Sequence, residues 1–161
     1  MLVECLIWSL LVAVGVSDAQ KHRIPNNLVL TLLLVVIVSI AIDPAGQIID
    51  HLIGFLVAFA VCLLLYITRV MAAGDVKLLA VVGLWVGVSQ LADTAIWIVL
   101  AGGMVGVFYL ALFLAESRGT LYQNVVGYVY QKATPGSQKT RLVIPFAPVI
   151  VIGLALQSYI Y

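Results

Sequence analysis

The chain has 161 residues, of which 64% are hydrophobic and only 9% charged, with a formal net charge of +1. Soluble domains carry about 25% charged residues, so the lipid bilayer is the solvent to reason from, and the near-zero charge excludes a basic nucleic-acid binder. Cys5 and Cys62 lie inside apolar runs with no CxxC pair between them, which excludes a disulfide scaffold and gives both the reading of small buried hydrophobes.

A membrane helix needs about 20 apolar residues, with about 17–25 as the working range. Six stretches are candidates, so the expected fold is all-α: a polytopic membrane protein with about six transmembrane helices, forming a single domain over residues 1–161. The first runs from Leu2 to Ser17, with Glu4 near its start. No Lys or Arg precedes it, so it lacks the basic region of a cleavable signal peptide and is expected to be a retained span. The second runs from Leu28 to Ile42 and the third from Leu52 to Thr68. The fourth, Leu78 to about Val88, is short, and Ser89, Gln90 and Asp93 part it from the fifth, about Ala92 to Ala115. The sixth runs from about Leu142 to Ile160. Gly83 with Gly87, and Gly102 with Gly106 beside Gly103, form GxxxG pairs that let helices approach closely; packing is their default role, and a homodimer is left open.

Orientation follows from the cations, because Lys and Arg in short loops stay on the cytoplasmic side. Lys21 and Arg23 fall in the first loop, Arg69 and Lys77 in the third, and Arg118, Lys132, Lys139 and Arg141 in the fifth. The second loop, Asp43 to Asp50, and the fourth, around Asp93, hold acids and no bases. Both termini are therefore expected to be extracytoplasmic. Within the fifth loop, Leu121, Val125 and Val129 recur at helical spacing beside Tyr122, Tyr128 and Tyr130, ahead of Pro135 and Gly136. That pattern fits an interfacial helix, with a substrate-docking surface as the alternative.

An acid at a membrane helix end is costly unless it is hydrated, paired or used. Glu4, Asp43, Asp50 and Asp93 fall on the outer side, where solvation explains them, and Glu116 sits beside Arg118 as a rim pair. Asp18 and Asp75 remain, both at the cytoplasmic edge. Asp18 leads into Ile24-Pro25-Asn26, where Pro25 suits the start of the second helix. Asp75 follows Gly74, whose missing side chain permits close approach, and precedes Val76-Lys77-Leu78 at the start of the fourth helix. Two carboxyls brought together cannot both ionise cheaply, which leaves an acid and a base side by side. Such a pair can activate water against a peptide carbonyl and protonate the leaving amine, with no metal, cofactor or nucleophilic side chain. Spacing alone equally allows two solvated helix-end acids. His22 and His51 lack a partner at HxxxH or HxxE spacing and are read as solvated, and Ser9, Ser17 and Ser39 lack a Gly-x-Ser-x-Gly frame.

Four segments together carry a family likeness: Asp18 with Ile24-Pro25-Asn26; Gly74-Asp75-Val76-Lys77-Leu78-Leu79-Ala80; Gly83-Leu84-Trp85; and Ile144-Pro145-Phe146-Ala147-Pro148. In these the chain resembles the type IV prepilin peptidases, intramembrane aspartyl proteases of bacteria, and most of all the short form serving Tad/Flp-type pili. The resemblance implies that Asp18 and Asp75 are the catalytic pair, with Pro25, Asn26, Gly74, Lys77, Pro145 and Pro148 in supporting or substrate-positioning roles; Lys77 is equally read as a phosphate-facing anchor. It implies a multi-pass protein of the bacterial cytoplasmic (inner) membrane with its active site facing the cytoplasm. The implied partner is a prepilin with a basic leader and a hydrophobic N-terminal helix. Two departures stand out. The family's GxGD motif has Ala72 in place of its first glycine. The cytoplasmic domain with paired CxxC motifs, found in longer relatives that methylate the trimmed pilin, is absent from this sequence, so proteolysis without N-methylation is expected. Two other classes are weighed against the protease: a proton or ion transporter, disfavoured because no acid lies in mid-span, and a pilus-assembly scaffold whose acids are inert.

Overall fold

The computed structural model describes residues 2–21, 23–42, 47–116 and 145–160, with side chains in the third stretch described as far as residue 112. Those residues form six helices: α1 (Leu2–Lys21), α2 (Asn26–Ile42), α3 (Ile48–Ile67), α4 (Ala73–Val86), α5 (Val88–Glu116) and α6 (Ala147–Ile160). Three are long and apolar enough to cross a membrane, namely α1, α3 and the Val88–Leu112 stretch of α5, while α2 and α6 are shorter apolar helices. His22, Asp43, Ile144 and the whole fifth loop, with its Leu121, Val125 and Val129 pattern and the cations Arg118, Lys132, Lys139 and Arg141, lie outside the described residues.

The chain divides into two units, Met1–Gly102 with Pro145–Tyr161, and Gly103–Ile144. Within the first, α4 is the central helix: Asp75, Val76, Leu78, Ala80, Val81, Val82 and Gly83 are all buried. It packs most extensively on α3 and also touches α2 and α6, while α1 packs on α2 and α6. The described part of the second unit is the far half of α5, where Met104, Val107, Phe108 and Leu110 are exposed.

Burial along α1 shows how a helix that is apolar all round still acquires a preferred face. Ile7, Leu11, Val14 and Asp18 are buried and recur at intervals of three or four residues, which places them on one side of a 3.6-residue turn. Leu6, Val12 and Val16 on the other side are exposed yet equally apolar. In water such a surface would drive aggregation; in hydrocarbon it costs nothing, and helix association then depends on close packing.

Close packing is greatest where α3 meets α4. A Cβ on Gly54 would strike the Gly83 carbonyl oxygen and come within 2.8 Å of Val88 N, and one on Gly83 would strike Ala58. The Gly83 and Gly87 pair thus serves packing within the chain. Gly153 of α6 lies against Ile98 of α5 in the same way.

The α4–α5 boundary differs from the expected one. It falls at Gly87, with φ at +78°, a left-handed conformation open to glycine at little cost. Ser89, Gln90 and Asp93 are inside α5. Asp50 and His51, expected to be simply solvated, instead clasp this turn. Asp50 Oδ1 accepts from Ser89 N–H at 3.3 Å and its Oδ2 from the Ser89 hydroxyl at 3.2 Å, so an acid on α3 caps the start of α5. His51 Nδ1 lies 2.8 Å from the Leu84 carbonyl oxygen at the end of α4. Cys5 also departs from expectation: it is exposed, whereas Cys62 is buried.

Candidate active site

Asp18 and Asp75 sit at the same end of the bundle. α1 finishes there, α4 begins there, and both acids are buried, at 7% and 9% relative exposure. Asp18 lies within the last turns of α1, whose end at Lys21 is later than the expected end at Ser17. It continues the buried face of that helix, so the packing that buries Leu11 and Val14 also turns its carboxyl inward.

The start of α6 meets it. Ala147 N–H donates to Asp18 Oδ2 over 3.0 Å, a buried bond between residues 129 apart in sequence. The first amides of a helix have no partner inside it and carry the positive end of its dipole, so this is a natural place to hold a carboxylate. Gly15, one turn before Asp18, faces the start of α6, where an added Cβ would make ordinary contact with Val151 at 3.4 Å and Pro148 Cα at 3.6 Å. Pro148 in the first turn of α6 gives up an N–H that the helix does not use, and Pro145 just ahead is buried. Ala147 is a site residue that sequence reasoning missed. Its contribution is a main-chain donor, visible in the sequence only as a proline-flanked helix start.

Asp75 lies in the first turn of α4, ahead of the apolar stretch that begins at Leu78. Burial pushes its carboxyl up to about 6, the negative charge of Asp18 adds to the rise, and a main-chain hydrogen bond at Ala72 pulls the other way. The structure therefore brings the two acids within electrostatic reach of each other. Cys62 of α3 also lies within range of the Asp75 charge. Ala72, where the motif has its usual glycine, precedes α4 with φ −81° and ψ 152°, an extended conformation that alanine adopts without strain. The substitution therefore leaves the backbone unstrained. Gly74 is likewise under little steric demand from the chain, since an added Cβ would meet Ile24 at 3.4 Å.

The other expected site residues serve α2 and its junction with α4. The Pro25 carbonyl accepts from Leu28 N–H at 3.1 Å and Val29 N–H at 3.3 Å, opening α2. Lys77 Nζ donates to Asn26 Oδ1 at 3.1 Å, tying the beginnings of α4 and α2 together. Residues two apart on a helix are about 200° apart around its axis, so exposed Lys77 leaves α4 on the side away from buried Asp75. Among the described residues no three His, Cys, Asp or Glu side chains come together in an arrangement able to hold a metal ion.

The family model of the type IV leader peptidase family matches residues 5–116, which include both acids and leave α6 outside the match. No curated protein and no solved structure matches the chain at a significant level. A match over that share of the chain, on a helical scaffold with apolar candidate spans, makes this a membrane peptidase that belongs to the type IV leader peptidase family.

Proposed function

We propose that the protein is an aspartic endopeptidase of the bacterial cytoplasmic membrane, which removes the basic leader from Flp-type prepilins at the cytoplasmic side. The observation that carries this reading is the pair of buried acids at one end of the bundle, with the charge of Asp18 helping to raise Asp75. The cations that flank them in sequence, Lys21, Arg23, Arg69 and Lys77, favour placing that end in the cytoplasm.

In this mechanism the pair enters the reaction with one proton between its two carboxyls and titrates as a unit. Asp75 holds the proton, in keeping with its raised value. Asp18, oriented by the Ala147 amide, takes a proton from water as the oxygen attacks the scissile carbonyl. Asp75 protonates the oxyanion. When the tetrahedral intermediate collapses, the C–N bond breaks, the amine leaves with a proton from Asp18, and Asp75 recovers its own. Pro145 and Pro148 support the reaction by fixing the start of α6. Pro25, Asn26 and Lys77 support it by fixing α2 against α4, and Gly74 leaves room beside Asp75 for the substrate backbone.

The test is mass spectrometry of a prepilin's N-terminus after co-expression with this protein and without it. The expected product is a pilin shortened by its leader and carrying no added methyl group. An unshortened prepilin in the presence of folded wild-type protein would end the proposal.

A further inference from the structure

A groove between α2, α3 and α4 has a volume of about 330 Å³, within the range of about 300–1,000 Å³ usual for ligand sites. Its polar and apolar walls are separated along the helix axes. Asn26, Asn27 and Lys77 line the end where α2 and α4 begin, while Leu33, Phe59 and Val81 are among the apolar side chains lining the rest. From Asn26 to Leu33 the rise along α2 is about 10 Å, so a ligand filling the groove needs a polar head and an apolar tail. The Lys77 ammonium carries three donors, and its bond to Asn26 goes to a neutral amide oxygen, which leaves its positive charge uncancelled by that contact. An anionic head therefore complements this end.

The position of the groove selects among amphiphiles. Lys77 leaves α4 about 200° away from Asp75, so a peptide bond held at the acid pair lies across α4 from the groove. The surrounding bilayer supplies an amphiphile with its phosphate at the depth of the helix ends and its hydrocarbon below. We propose that the groove binds one anionic glycerophospholipid, with its phosphate on Lys77 and Asn27 and an acyl chain along Leu33, Phe59 and Val81. This assignment rests on the proteolytic reading only in placing the scissile peptide on the other side of α4; the lipid itself is neither substrate nor product of that reaction.

The experiment titrates full-length protein, delipidated in detergent, with dioleoyl phosphatidylglycerol or dioleoyl phosphatidylcholine and counts retained lipid by native mass spectrometry. Phosphatidylglycerol is expected to bind about tenfold more tightly, the scale of one charge-assisted hydrogen bond. Lys77→Gln should bring it down to the phosphatidylcholine level, Lys77→Arg should keep the preference, and Val81→Trp, which fills the apolar floor, should weaken both lipids. Equal binding of the two lipids by the wild type, or an undiminished preference in Lys77→Gln, overturns the proposal. So does ready displacement of bound phosphatidylglycerol by a synthetic apolar helical peptide, which would make the groove a peptide site.

Discussion

The two ends of the α3–α4 pair both carry an aspartate beside the start of a helix, and they use it differently. At one end Asp50 receives two hydrogen bonds from Ser89, one to each oxygen, and closes the turn at Gly87. At the other, Asp18 receives a main-chain N–H from Ala147, while burial, with the charge of Asp18 adding to it, pushes the Asp75 carboxyl up to about 6. Asp50 has a hydrogen-bond donor on each oxygen, whereas Asp75 is opposed first by its own burial and then by the charge of Asp18. The first arrangement is what stability asks of an acid near a membrane. The second costs stability, as sites that perform acid–base chemistry commonly do.

Substitutions at the two ends sharpen that contrast. Gly54→Leu drives a side chain into the α4 backbone at Gly83 and Val88. It should cost about 3 kcal/mol, lowering the midpoint of thermal unfolding in detergent by roughly 6–12 °C. Asp50→Ala removes the clasp on α5 and should cost about 1–2 kcal/mol; the midpoint should fall, while the folded fraction cleaves substrate at the wild-type rate. A cleavage defect larger than the loss of folded protein would show that the two ends are not separable.

Asp75→Asn should act in the opposite direction. The folded state binds the Asp75 proton up to about pH 6, whereas the ordinary carboxylate value is 3.8. Between those values the folded protein holds more protons than the unfolded chain, so wild-type stability falls as pH rises through that window. The asparagine variant does not titrate and should be more stable above pH 7 by on the order of 1 kcal/mol after solvent screening, with the difference closing towards pH 4. Matching unfolding curves at both pH values would remove the claim that Asp75 is held against its preference.

The membrane character was legible in composition, because so few charges cannot coat a soluble domain of this length, and the helical class was legible in apolar runs approaching the length of a membrane helix. Asp18 and Asp75 were legible as the acids with distinctive surroundings. The Gly87 break was not. In helices that are apolar on every side, periodicity carries little signal, and the polar residues Ser89, Gln90 and Asp93 drew the boundary away from the glycine that makes it. Nor were the roles of Asp50 and His51 visible, since each depends on a partner more than 30 residues away, Ser89 and Leu84 respectively. The Ala147 amide was hidden for a related reason, as a main-chain donor is defined by where its helix begins.

The most direct test of the account is the rate at which purified Asp18→Asn and Asp75→Asn variants shorten a prepilin, each compared with wild type at equal folded concentration. Losing either partner of an acid–base pair should slow cleavage by about 10²- to 10⁴-fold, with both variants still folded in the membrane. Cleavage by either variant at the wild-type rate would contradict the account.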